Sequence, residues 1–236
     1  MSDHGKSTYY RQDHVVDDYD RLRFIRGGGP IVLRIENRIV EEMLVLAGAK
    51  EHQIAMDAPC GTGRFIPALK RQFSWVLAGD LSTGMLRRAQ PKGAHAYVHA
   101  DVGALPLRAA SVHFLLMSRF VFHFEDPTPF LAEATRVLVP GGHLLFDAYN
   151  WTPRTWIPGD QRFLGGKVHL HPREKVAHFA RTLGLEMVAA APTFLVAPYL
   201  YGFLPAILVE HIESWSRRFP SMFRAKTYYL LRKERA

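Results

Sequence analysis

Ile54-Ala55-Met56-Asp57-Ala58-Pro59-Cys60-Gly61-Thr62-Gly63-Arg64-Phe65 is the stretch that decides the fold. The apolar run 54–58 reads as a buried strand, and the glycines after it open a helical pattern over about 63–72. Without a Cβ, glycines let the backbone approach a ligand closely. The helix start then presents unpaired N–H groups to that ligand. Working outward, short apolar runs recur at 75–79, 95–99, 112–117 and 143–148, with helical patterns at about 83–90 and 128–138. This alternation predicts βαβ units and a parallel sheet covered on both faces. Pro140-Gly141-Gly142 reads as a turn that ends a helix before the fifth strand.

Upstream, the breaker Gly27-Gly28-Gly29-Pro30 precedes helical spacing over 31–47, carried by Ile31, Ile35, Ile39, Met43 and Leu46. Downstream, residues 150–171 are rich in Trp, Pro, Gly and His and read as a loop or small cap. A helix over about 173–183 stops at Gly184, and Leu185–Ala191 and Thr227–Arg232 read as a late pair of strands. Between them lies an unusually apolar insert, 194–222.

The 236 residues suit one α/β domain with elaborations, and 48% hydrophobic composition fills a sizeable core. The lone Cys60 excludes an intramolecular disulfide and a multi-cysteine zinc cluster. Residues 1–24 carry no apolar leader run, and Pro198, Gly202 and Pro205 interrupt the most apolar stretch, so a cytoplasmic protein without a membrane span is expected. The net charge of +8 gathers near the C-terminus in Arg217, Arg218, Arg224, Lys226, Arg232, Lys233 and Arg235, against Glu213 and Glu234. A solvated basic edge is the plain reading; weak association with an anionic membrane is the other.

The glycine turn excludes two common ligands. A dinucleotide site wants a third small residue where this chain has Ile66, and a phosphate-cradling P-loop wants Gly-Lys-Ser/Thr at the end of the turn. Asp57 before the turn suits an ammonium or sulfonium better than a pyrophosphate. Asp80 ends the second strand some twenty residues past the turn, where a carboxylate can accept from both ribose hydroxyls. An N-cap is the competing role for Asp80, but Ser82 can fill it equally well. Asp101 closes the third strand, positioned to accept from an exocyclic amine; taken alone, it is a turn former.

Together, Asp57-x-x-Cys60-Gly61-Thr62-Gly63, Asp80-x-Ser82-x-x-Met85-Leu86, Ala100-Asp101, Ser118 through Phe124 and Val137 through Gly142 resemble the class I S-adenosylmethionine-dependent methyltransferases, especially the type 11 and quinone-biosynthesis branch. The match keeps order and spacing over about 54–148, and Pro59 departs from it by replacing a common glycine. The resemblance implies a doubly wound, seven-stranded, mostly parallel Rossmann-like sheet with helical cap elements. It also implies one domain over 1–236: an N-terminal lid 1–48, a cofactor-binding core 49–150, and an acceptor-side cap with C-terminal strands 151–236. S-adenosylmethionine is the implied cofactor. Asp57, Ala58, Gly61 and Gly63 would border its methionine part, Asp80 its ribose, and Leu81, Met85, Asp101 and Val102 its adenine. Ser118 and Arg119 would stand near the sulfonium, and Tyr19 or Arg23 would meet the carboxylate in the geometry a guanidinium favours.

In-line methyl transfer needs mainly alignment and exclusion of water, worth roughly 7–11 kcal/mol of barrier. His123, Asp147, Tyr149 and His171 are the candidates on the acceptor side, and His123 is the candidate base, weighed against a packed histidine that shapes its loop. His169 and His171 lack a carboxylate or cysteine cluster, so no metal is expected. Trp151, Trp156, Phe194, Tyr199, Tyr201, Phe203 and Trp215 suggest an apolar lid over a small, apolar or aromatic acceptor. The rivals are a nicotinamide-dependent oxidoreductase, disfavoured by Ile66; a nucleic-acid methyltransferase, disfavoured by Ser118-Arg119-Phe120-Val121 where base-amine methylation wants Asn/Asp-Pro-Pro-Tyr/Phe; and a non-catalytic cofactor-binding protein. Neither the atom methylated nor the oligomeric state follows from these residues.

Overall fold

The computed structural model describes Ile25 and residues 27–157, 167–216, 218 and 220–235. Its elements in chain order are α1 (Gly29–Leu46), β1 (Ile54–Asp57), α2 (Ile66–Lys70), β2 (Trp75–Asp80), α3 (Thr83–Ala89), β3 (Ala96–His99), β4 (Val112–Met117), α4 (Thr128–Val137), β5 (Leu138–Tyr149), α5 (Arg173–Thr182), β6 (Leu185–Thr193), α6 (Pro198–Tyr201), α7 (Ala206–Ser216) and β7 (Lys226–Lys233). The strands form one seven-stranded sheet in the order β3-β2-β1-β4-β5-β7-β6. β1 through β5 pair in parallel, and β7 runs antiparallel to both β5 and β6. This is the expected doubly wound sheet.

Alternate residues of each strand point to opposite faces, so a parallel strand covered on both sides must be apolar throughout. In β4, Leu115 and Met117 join Met56, Phe146 and Tyr229 on one face, beneath Leu131, Ala134 and Val137 of α4 and Val176 and Ala180 of α5. Phe114 and Leu116 join Ala55, Val76 and Leu230 on the other, beneath α1, α2 and α3. A third cluster fastens Ile31 and Val32 of α1 to Phe194, Tyr201 and Val209 of the late insert.

Two local expectations are corrected. Pro140-Gly141-Gly142 does not separate α4 from β5: α4 ends at Val137 and β5 starts at Leu138. The Pro-Gly-Gly run forms a bulge within the strand, where the register passes from Val112↔Leu138 to Phe114↔His143. Helix α2 is shorter than the pattern suggested, because residues before Ile66 form the turn itself.

The basic C-terminal edge is only partly solvated. Lys226 is buried, Arg224 holds the Ser216 carbonyl, Arg232 pairs with Glu186, and Lys233 donates to the Thr135 and Leu138 carbonyls. Among the described residues no helix is long and apolar enough to cross a membrane.

Candidate functional site

The strand order reverses between β1 and β4, and such a reversal leaves a crevice outside the carboxyl ends of the strands. The turn after β1 and the loop after β4 are its two sides. The Ala58 N–H donates to the Leu116 carbonyl at 2.9 Å and the Cys60 N–H to the Gly79 carbonyl at 2.8 Å, tying the turn to both neighbouring strands. Gly61 and Gly63 adopt φ of 53° and 77°, a region side chains rarely enter. Their surroundings differ. A Cβ on Gly63 would lie 2.7 Å from Ile66 Cδ1 and 2.9 Å from Ala89 Cβ, so this glycine admits close helix packing. A Cβ on Gly61 would meet no protein atom within 4 Å, which leaves that side of the turn open to a ligand.

Asp57 ends β1 and is 1% exposed, yet neither carboxylate oxygen finds a hydrogen-bond donor among the described residues. Burial pushes its carboxyl up to about 8, with Arg64 opposing the shift and Asp80 adding to it. A buried acid without a donor is costly unless something cationic answers it. Asp80 accepts the Gly61 N–H and the Ser82 N–H, both at 2.8 Å, while Ser82 caps α3 by accepting the Met85 N–H. The capping role therefore belongs to Ser82. Burial raises the Asp80 carboxyl against the pull of these N–H donors and of His99.

On the same edge, Met85 is buried, Leu81 half-buried and Val102 buried, while Asp101 is exposed and accepts the Gly103 N–H at 2.8 Å. Asp101 thus forms a turn, with a second carboxylate oxygen left for other use.

Across the crevice, Ser118 Oγ and the Arg119 N–H both donate to Asp147 Oδ1, at 3.2 and 2.6 Å. Arg119 has φ of 58°, an uncommon conformation for a residue with a side chain, and these bonds hold it there. Half-buried His123 closes the short helical turn Val121–His123 and stacks against Phe122 with ring centroids 4.6 Å apart. His171 is fully buried and its Nε2–H donates to the Phe124 carbonyl at 2.9 Å, supporting this loop from behind; burial lowers its imidazole to about 4. Tyr19 and Arg23 lie outside the described residues.

The structure adds a group that sequence reading missed. Lys226 Nζ sits 2.7 Å from Glu36 Oε1 and 2.9 Å from Asp147 Oδ2, with all three side chains at most 1% exposed. Glu36 Oε2 also accepts from Arg64 of the glycine turn and faces Arg119 Nη1 at 4.0 Å. Burial alone would raise the Glu36 carboxyl, but Lys226, Arg64 and Arg119 together hold it well below the usual carboxylate range. The signal available in sequence was a carboxylate on a buried helical stripe, Val32-Glu36-Val40-Met43.

The aromatic residues expected to line an acceptor lid divide. Phe194 and Tyr201 are core, Tyr199 meets the Thr152 hydroxyl at 3.1 Å, Trp151 donates to the Phe223 carbonyl, and Trp156, Phe203 and Trp215 are exposed. Beside the crevice, Phe122, Tyr149, Val168 and Ala197 form an apolar cluster with Leu170, Tyr199 and Leu200 packed on it.

Residues 56–146 match the family model described as a methyltransferase domain. The chain is 34% identical over 113 residues to the malonyl-[acyl-carrier protein] O-methyltransferase of Serratia marcescens, covering 48% of this chain and 44% of that protein. It is 31% identical over 159 residues to the enzyme of the same name from Erwinia billingiae, covering 63% and 61%. The matched stretch thus spans about half the length of these curated relatives. Among solved structures, geranyl diphosphate C-methyltransferase from Streptomyces coelicolor, in complex with Mg2+, geranyl diphosphate and S-adenosyl-L-homocysteine, shares the fold at TM-score 0.63 and 19% identity, covering 86% of this chain and 80% of that one. Residues 56–146 thus carry a methyltransferase domain, and the seven-stranded order, the glycine turn and the carboxylates at or just past the ends of β1, β2 and β3 are similar to those of the class I S-adenosylmethionine-dependent methyltransferases.

Proposed function

We propose that this protein transfers the methyl group of S-adenosylmethionine to a small, apolar or aromatic acceptor. The observation that supports the reading is Asp57: a buried carboxyl, without a hydrogen-bond donor among the described residues, beneath a glycine turn whose Gly61 side is open. The donor group supplies, when bound, a sulfonium methyl that is already electrophilic. Asp57 and the turn at Ala58, Gly61 and Gly63 would hold its amino-acid end, with Tyr19 or Arg23 assigned to the carboxylate. Asp80 would hold the ribose with the lone pairs left over from Gly61 and Ser82. Leu81, Met85 and Val102 would pack on the adenine, with Asp101 at its amine. Ser118 and Arg119, fixed by Asp147, form the opposite wall. In this reading residues 1–48 act as a lid, 49–150 as the cofactor core and 151–236 as the acceptor cap.

The acceptor preference rests on the apolar cluster of Phe122, Tyr149, Leu170, Tyr199 and Leu200. Such walls exclude water and align an acceptor by shape. His123 would serve as base for an acceptor that carries a proton. The names of relatives point to more than one acceptor chemistry, a malonyl group on a carrier protein in one and geranyl diphosphate in another.

Titration with S-adenosylmethionine and with NAD, read by thermal shift, tests the cofactor. Stabilisation by the first alone is expected, and stabilisation by NAD alone reverses the assignment. Label transfer from methyl-labelled cofactor into a metabolite extract tests turnover; tight cofactor binding without labelled product favours a non-catalytic protein. His123→Ala is expected to lower that transfer by roughly 100-fold if the histidine acts as base.

A further inference from the structure

Glu36 is buried on a helix that precedes the whole sheet, yet its carboxylate touches both sides of the crevice. One oxygen accepts from Arg64, in the turn after β1, and faces Arg119, in the loop after β4. The other accepts from Lys226 on β7, which in turn holds Asp147, and Asp147 fixes Ser118 Oγ and the Arg119 N–H. Val32, Val40 and Met43 are the other buried members of the same helical face, so the packing of α1 alone does not call for an ion group there. Buried ion groups are often no more stabilising than apolar replacements of similar volume; their best attested use is to specify one arrangement. Here the arrangement concerns two loops, each fastened by hydrogen bonds to its own neighbouring elements, whereas the Glu36 carboxylate meets side chains of both.

We infer that Glu36 is a positioning residue that sets the glycine turn through Arg64 and the Ser118-Arg119 loop through Lys226 and Asp147, so that α1 aligns both walls of the cofactor crevice at once. This rests on the cofactor reading above. It assigns α1 a part in cofactor affinity that its distance in sequence from the family motifs does not suggest. It also gives Lys226 a defined place: the one ammonium that links the helix to the far loop.

The test uses S-adenosylhomocysteine as probe, with calorimetric titration of the full chain well below each variant's melting temperature. Glu36→Gln keeps the volume and removes the charge. It is expected to weaken binding roughly 10-fold or more, the scale of a lost charge-assisted hydrogen bond. Arg64→Gln is expected to weaken it similarly. Because Glu36 acts through Arg64 on one wall and through Lys226 on the other, the double variant should bind more weakly than Arg64→Gln alone but by less than the product of the two single losses. If E36Q does not fold, the charge-balanced pair E36Q/K226Q takes its place, with the same loss expected. A purely structural role would lower the melting temperature of E36Q and leave its affinity at the wild-type value, which overturns the inference. Losses that multiply in the double variant overturn it as well. A wild-type protein that fails to bind the probe overturns the cofactor reading and this inference with it, whereas wild-type binding with an unchanged E36Q overturns this inference alone.

Discussion

The two sides of the molecule are built by opposite rules. Where β5 and β7 meet α1, charges are buried and joined: Glu36, Asp147 and Lys226 are all at most 1% exposed, and Lys226 touches both carboxylates. In the cap, large apolar side chains face outward, with Phe203 77%, Trp156 75%, Ile207 67% and Trp215 56% exposed. Ionic contacts between buried groups have direction and fix one geometry, whereas exposed apolar surface is non-directional and tolerates change. A cofactor common to a family asks for the first kind of construction, and an acceptor that differs from member to member allows the second.

The comparison breaks most readily at Lys226. Lys226→Ala leaves Glu36 and Asp147 facing each other's surroundings without their shared ammonium, and a buried pair broken from one side costs about 3–5 kcal/mol. For a chain of this size that is a fall of about 6–20 °C in melting temperature, measurable by calorimetry. A loss under about 1 kcal/mol would place the network among ordinary surface ion pairs. Asp80→Ala comes next. It strips the acceptor from the Gly61 and Ser82 N–H groups and the proposed ribose contact, and cofactor affinity should fall about 10- to 100-fold. Asp101→Ala, at an exposed turn, should cost less in the same titration.

The part of the site that was legible in sequence is the part written in consecutive residues. Ile54 through Ile66 run from a strand through a turn to a helix start, Asp80 ends an apolar strand and Asp101 follows one closely. Periodicity likewise disclosed every strand of the sheet, because strands covered on both faces must be apolar throughout. The ion network was not legible, since Glu36 and Lys226 stand 190 positions apart and only the closing of β7 against β5 brings them together. Lys226 looked like one more member of a basic tail. Gly63 was assigned to the cofactor by resemblance, but its steric demand comes from Ile66 and Ala89, which no local pattern reveals. In the cap, tryptophan and phenylalanine counts could not separate the buried Phe194 and Tyr201 from the exposed Phe203 and Trp215, because that depends on which helix faces α1.

A pH titration sharpens the buried side. Asp57 has its carboxyl raised to about 8 from 3.8. Between those values the native protein holds a proton that the unfolded chain has lost. Its contribution to stability is therefore full below about pH 4 and is lost as pH rises through about 8. A bound ammonium or sulfonium favours the ionised form, so cofactor binding should expel this proton near neutrality. Affinity should then rise with pH, approaching about tenfold per unit below pH 8 if one whole proton is released. Calorimetry in buffers of different ionisation enthalpy counts the proton directly, and Asp57→Asn should abolish the release. His171 works in the other direction: with its imidazole lowered to about 4, it withdraws stability as pH falls below its ordinary value of 6.5.

The smallest effect is expected on the outer face of α7, and its smallness is informative. Ile207, His211 and Trp215 recur every fourth residue on the exposed side, while Val209, Ile212 and Ser216 turn inward, with Val209 packed on Ile31 and Val32. Val209→Ala removes two buried methyl groups and should cost about 2 kcal/mol. Trp215→Ser, one and a half turns further along the same helix, exchanges one half-exposed ring for water and should change stability by no more than about 0.5 kcal/mol. Its affinity for S-adenosylhomocysteine should match the wild type, because the ions that hold the cofactor walls come from α1, β5, β7 and the two crevice loops. Methyl transfer is the quantity free to change, if the cap borders the acceptor. A stability loss for Trp215→Ser comparable to that of Val209→Ala, appearing only at high protein concentration, would mean that a second copy covers this face. The cap would then be an interface rather than a lid, and the contrast between the two halves would have to be drawn between protomers.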